Sequence, residues 1–181
     1  MAITINGSGT ITGVSAGGLP DNCITADDLA TTLDLSGNTI TLPSGTGGKV
    51  LQVVHDDPIV NISSSATGGV ELFNLSITPS STSSKILALV SVTARLDANE
   101  YCSFDLYRGS LSSGTKVFDA SEALFNSHNS HSVGYSFSYL DPPSTTSAIN
   151  YTVVGVVLFS GQTIQFGGTG RQSITLMEIA G

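Results

Sequence analysis

The sequence predicts an all-β chain: an antiparallel, jelly-roll-like sandwich over residues 49–181, preceded by a small segment of short strands and one short helix over residues 1–48. Three observations carry that prediction. Short apolar runs recur from residue 49 onward with Ser-, Gly- and Pro-rich turns between them, the pattern of a sandwich, jelly roll or barrel. The stretch 149–159, INYTVVGVVLF, is the longest β-branched and aromatic run, and no helical period competes with it. A strand buried on both faces needs a second sheet or a neighbouring subunit to cover it. Finally, charged residues make up only 11% of the 181-residue chain, against about 25% in ordinary soluble domains. Ser, Thr, Gly and Asn replace them, which suits many turns and surfaces buried in an assembly.

Taken in order, Ile3 and Ile5, the turn Asn6-Gly7-Ser8-Gly9, then Ile11 and Val14 form a hairpin signal. It has too few apolar residues to stand alone in water and must pack on something else. TADDLATTLD over 25–34 is the helix candidate. Thr25 is its N-cap, Asp27 and Asp28 complement the dipole of its first turn, and Leu29 and Leu33 share a face. A second small hairpin spans 35–43, and SGTGG over 44–48 is a flexible linker that ends the first segment. Strands follow at 49–55, 70–77, 85–95, 101–108, 115–118, 133–140, 149–159, 162–166 and 172–179. In the third of these, Ile86, Ala88, Val90, Val92 and Ala94 share one face; in the fourth, Cys102, Phe104 and Leu106 do. Asp141-Pro142-Pro143 ends the 133–140 strand, because proline cannot donate to a ladder and holds the residue before it extended. Residues 120–132 read as a loop.

The formal net charge is −8, and residues 1–48 contain four aspartates with no Lys or Arg. That composition carries no basic footprint for nucleic acid, and no apolar run reaches the ~20 residues of a membrane span. MAITINGSGTITG has neither a basic nor an apolar leader region, so no signal peptide is expected. Cys23 and Cys102 form no spaced motif and read as two reduced thiols, an intrachain disulfide being the other reading.

Catalytic constellations are scarce. The Gly-rich stretches at 44–48 and 166–171 lack the lysine and helix of a phosphate loop and read as turns. Asp56-Asp57 reads as a solvated turn rather than an acid/base pair, and Glu71, Glu100 and Glu122 are isolated. His128 and His131, three apart, have the types and spacing for a metal, with His55 the remaining histidine; their polar setting reads as a surface loop. Tyr101, Tyr107, Tyr135, Tyr139 and Tyr151 serve either to stack on sugar or, more simply, to fill a core or subunit interface. No catalytic, cofactor-binding or metal-ligating residue is assigned.

The segments GGKVLQVV (47–54), SITPSSTSSKILALVSV (76–92), FSYLDPPSTTSAINYTV (137–153) and SITLMEIAG (173–181) together resemble a family of phage virion proteins of marine and freshwater bacteriophages, described as tail-fibre or fibre-like. The head segment AITINGSGTITGVSAGGLPDNCITADDL resembles the N-terminal regions of such proteins. The resemblance implies a non-enzymatic structural protein, usually a homotrimer. Its compact C-terminal head is similar in kind to the trimeric jelly rolls of the tumour-necrosis-factor and complement type. It further implies that residues 1–48 attach to other virion proteins of tail or capsid while residues 49–181 project outward, for binding a host surface glycan or protein receptor. Assembly would take place in the host cytoplasm. The chain lacks a repeated shaft, which leaves a capsid-decoration or head-fibre role as the alternative. A carbohydrate-binding module using Tyr107, Tyr135 or Tyr139 is a further alternative. A depolymerase would need two carboxylates in a cleft, and the sequence offers no convincing pair.

Overall fold

The structure, a computed structural model, describes residues 4–5, 11–12, 49–120, 124–126, 130–168 and 170–181. By internal contacts the chain divides into residues 1–46 and 47–181. In the first unit, β1 (Thr4–Ile5) pairs antiparallel with β2 (Ile11–Thr12), Ile5 opposite Ile11, which is the expected N-terminal hairpin. The predicted helix over 25–34, the hairpin over 35–43 and Cys23 lie outside the described residues.

The second unit is built from strands β3 (Val50–Asp56), β4 (Asn61–Ser64), β5 (Val70–Ile77), β6 (Lys85–Leu96), β7 (Glu100–Arg108) and β8 (Thr115–Asp119). They are followed by β9 (Leu124–Asn126), β10 (His131–Asp141), β11 (Ile149–Val157), β12 (Ile164–Gly167) and β13 (Ser173–Ile179). Every pairing is antiparallel. Register reduces these strands to eight positions. β12 and β13 pair along the same side of β6, so they are one strand interrupted between Gly167 and Ser173. β4 and β3 pair with β12 and β13 in turn, and β8 and β9 share one side of β7. One sheet therefore runs β3/β4, β12/β13, β6, β10; the other runs β5, β11, β7, β8/β9. Numbered along the chain, those orders are 1-8-3-6 and 2-7-4-5, the double Greek key of a jelly roll.

The core lies between the sheets because alternation sends one side of each strand inward. On β6, Ile86, Ala88, Val90, Val92, Ala94 and Leu96 are all buried, as their spacing predicts. Cys102, Phe104 and Leu106 of β7 face them. Aromatic rings bridge the layers: Phe104 lies 5.7 Å edge-on from Phe166 of β12 and 6.1 Å, stacked, from Tyr135 of β10. Gly155 of β11 leaves room for the Phe166 ring, since a Cβ there would stand 2.7 Å from ring carbons.

The central strand β11 is buried on both faces, but no neighbouring subunit is needed to achieve it. Tyr151 and Val153 point into the core. On the opposite face, Val154 is covered by the turn at Gly69, whose absent side chain lets the backbone close over it. Thr152 donates to the carbonyl of Gly109 at 2.7 Å, and the amide of Leu111 donates to Glu71 at 2.6 Å, fastening the 109–114 turn over the sheet.

The region expected to be loop contains β9 and the first residues of β10, and the short β4 also exceeds the expectation. Both short strands are held by pairing with β7 and β12 rather than by any period of their own. Cys102 is free and buried; burial, reinforced by the charge of Glu100, pushes its thiol up to about 12.

Candidate functional site

Of the two histidines of HNSH, His128 lies outside the described residues, and His131 opens β10 opposite Leu96. His55 stands on β3, 2.8 Å from the Thr175 hydroxyl and 3.1 Å from Asp57, at the surface. Among the described residues no group of three or more His, Cys, Asp or Glu side chains converges as metal ligands would. No helix among them is long and apolar enough to cross a membrane.

Sequence reasoning missed three buried carboxylates, because Glu178 and Asp105 sit on strands that read as merely alternating and Asp141 reads as part of the proline turn that ends its strand. Glu178 points inward from β13 and is 1% exposed. One carboxylate oxygen accepts from the Ser80 amide and hydroxyl at 2.7 and 2.6 Å, and the other accepts from Gln52 at 2.7 Å. Ser84 also faces it, though its hydroxyl falls outside strict hydrogen-bond geometry. Burial pushes the group up, and the bonds led by Ser80 more than offset this, holding it at about 2 against an ordinary 4.5. A depressed carboxyl stabilises the fold above its ordinary value and loses that contribution as pH falls. Stability is therefore expected to decline between pH 4.5 and about 2. Denaturant unfolding across that window checks it: Glu178→Gln should flatten the decline, and an unchanged slope would show that other groups cause it.

Asp105 projects from the other side of β7, 3% exposed, with one oxygen 2.8 Å from Lys116; the Ala120 amide also faces the carboxylate, though the other oxygen has no partner in strict hydrogen-bond geometry. Burial pushes its carboxyl above the ordinary range while Lys116 pulls against that rise. Lys116 also reaches Asp119 at 3.1 Å, and its bond to Asp105 is the main reason its own ammonium is held charged to higher pH. Asp141, at the end of β10, accepts from the Tyr151 hydroxyl at 2.6 Å and lies 3.3 Å from Arg108. These groups lock strands together.

The face with the greater capacity for contact is the outside of the β3/β4, β12/β13, β6, β10 sheet. Val53, Met177, Leu87 and Leu140 stand directly opposite one another in register, one from each strand. They form an apolar row across the whole sheet, with Val53 52% and Leu140 45% exposed. The next rows are His55–Thr175–Leu89–Ser138 and Ser173–Ser91–Ser136, which border a shallow hollow of about 380 Å³. A readable signal existed: KILALV and KVLQVV are apolar at consecutive positions, so both faces of those strands are apolar.

The tyrosines offered for sugar stacking divide. Tyr135 packs on Phe104 and Phe137, and Tyr139 lies against Phe118, so both are occupied inside the sandwich. Tyr151 is fully buried, and Tyr107 sits under Lys116. The exposed aromatic group is instead Tyr101 stacked on Phe125 at 4.4 Å, with Phe159 edge-on at 5.0 Å.

No family model and no curated protein matches the chain. Some solved structures are remotely similar to it. One is a chain of infectious bursal disease virus, Gx strain, at 14% identity and a TM-score of 0.47, covering 77% of this chain and 36% of that one. Another is from the VP2 subviral particle of the same virus, at 15% identity and a TM-score of 0.40, covering 85% and 42%. A third is a CBM4 chain at 11% identity and a TM-score of 0.20, covering 66% and 80%. The chain thus spans less than half the length of the two viral chains. These are remote likenesses; the jelly-roll assignment rests on the strand register itself.

Proposed function

We propose that this chain is a non-enzymatic structural protein of a bacteriophage particle, a homotrimeric tail-fibre or fibre-like protein. Residues 1–48 attach it to other virion proteins, and the β head from residue 49 projects toward a host glycan or protein receptor. A capsid-decoration role uses the same parts and is the alternative. The observation that carries the assembly reading is the row Val53–Met177–Leu87–Leu140, which places apolar side chains in water across a four-strand face. The virion assignment is supported by the sequence resemblance, and a jelly roll is one of the folds that capsid proteins use.

The mass of the full chain by light scattering tests the assembly. At low concentration, where weaker contacts between such units are dissociated, a trimer is expected for the native protein and a monomer for Val53→Lys combined with Leu87→Lys, because two ammonium groups per copy would be desolvated in the contact. A native monomer would overturn the homotrimer; a trimer that survives both lysines would move the interface elsewhere. Mass spectrometry of purified particles tests virion location directly.

A carbohydrate-binding reading is favoured by one observation, the exposed Tyr101–Phe125–Phe159 group, in which Phe125 and Phe159 are 46% and 55% exposed. If it holds, Phe159→Ala weakens retention on host polysaccharide about tenfold, the loss of one stacking ring; unchanged retention would remove it.

A further inference from the structure

We propose that β10 is a docking edge for a second copy of this chain, pairing antiparallel with its own counterpart about a two-fold axis at Ser136. Among the described residues β10 pairs only with β6, so along residues 132–140 its other side presents backbone donors and acceptors with no ladder to another described strand. It is 11 residues long, contains no Lys or Pro, and shows no register shift against β6. Lysine, proline and a bulge, three of the devices that normally blunt a free edge, are therefore absent from it.

Three features point to a second copy as the occupant. The strand runs from 131 to 141, so full overlap with itself puts Ser136 opposite Ser136, and every inward residue then meets an inward residue. Tyr135 falls opposite Phe137 in both halves, and these two rings are half-buried, Phe137 stacked on Phe118 of the other sheet at 4.5 Å. Charge also permits it. The chain carries −8, so copies repel, yet residues 132–140 include no Asp, Glu, Lys or Arg. Gly134 supplies the third feature. A Cβ there would meet nothing closer than 4.0 Å among the described residues, so the described fold does not call for glycine. In this register Gly134 lies opposite Ser138, and a glycine on an edge is suited to the close approach of another backbone.

The pairing doubles whatever unit the remaining contacts make, so it is tested independently of trimerisation. Ser136 is exposed and bonds only to the exposed hydroxyl of Ser91 at 3.2 Å, so substitution there leaves the core intact. Light scattering on the full chain is compared for the native protein, Ser136→Lys, Ser136→Glu and an equal mixture of the two, with circular dichroism confirming the folded state. Each single variant is expected at half the native mass at high concentration, because like charges meet across the axis, and the mixture is expected to regain the native mass. Should either Ser136 variant unfold, Ser138→Lys on the same exposed face of β10 is expected to halve the mass. Variants that keep the native mass overturn the proposal, and so does a mixture that stays at half.

Discussion

Replacing Phe104 by alanine is expected to lower the unfolding free energy by about 3–5 kcal/mol, the range for deleting a fully buried aromatic side chain. The size follows from position. Phe104 is 0% exposed, and its ring touches Tyr135 and Phe166, which come from β10 and β12 of the opposite sheet. Deletion therefore removes the contact between layers as well as the transferred area. The cavity cannot collapse easily, because Gly155 already gives up its side chain to seat Phe166 and the strands on either side are tied in register. Phe125→Ala is the control: that ring is 46% exposed and stacks on Tyr101 at the surface, so its loss should cost about 1 kcal/mol or less. Denaturant titration of the two variants compares them. Equal losses would mean that Phe104 does not join the sheets.

Phe104 was readable in the sequence because Cys102, Phe104 and Leu106 alternate with polar residues, and the sandwich between long strands was readable for the same reason. What the sequence did not show is where strands break. β3/β4, β8/β9 and β12/β13 are single strand positions interrupted by loops, and only the partner's register reveals that two pieces belong to one line. β9 has three residues and β4 has four, too short for any period to register. The candidate surface was half legible. Consecutive apolar residues in KILALV announce two buried faces, but that Leu87 lines up with Val53, Met177 and Leu140 depends on pairing between segments more than 30 residues apart. The buried acids were hidden for a related reason. Glu178 follows Met177 in an ordinary alternation, and its partners Ser80 and Gln52 are distant in the chain.

Removal of Asp141 is the second large effect. Asp141→Ala is expected to cost about 3–4 kcal/mol, the loss that follows when one partner of a buried, hydrogen-bonded group is deleted and the others stay behind. Asp141 is 3% exposed and joins β10 of one sheet to Tyr151 of β11 and Arg108 of β7 in the other. Arg108 is 31% exposed along its side chain and can turn to water, which keeps the expected loss toward the low end. Tyr151 cannot: it is 0% exposed, and its hydroxyl would be left in the core without an acceptor. Tyr151→Phe alone should cost about 1–2 kcal/mol, and the double variant should cost less than the sum, since both remove one bond. A pH profile separates this bond from mere packing. Burial, then the bond to Asp141 and its negative charge, raise the Tyr151 hydroxyl well above its ordinary 10.0. A group whose folded value is raised stabilises fully below its ordinary value and loses that contribution as pH rises. Native stability should therefore fall above pH 10, and Tyr151→Phe should remove that part of the fall. If Asp141→Ala costs under 1 kcal/mol and the alkaline slope is the same in Tyr151→Phe, the link between the sheets is carried by packing of the rings alone.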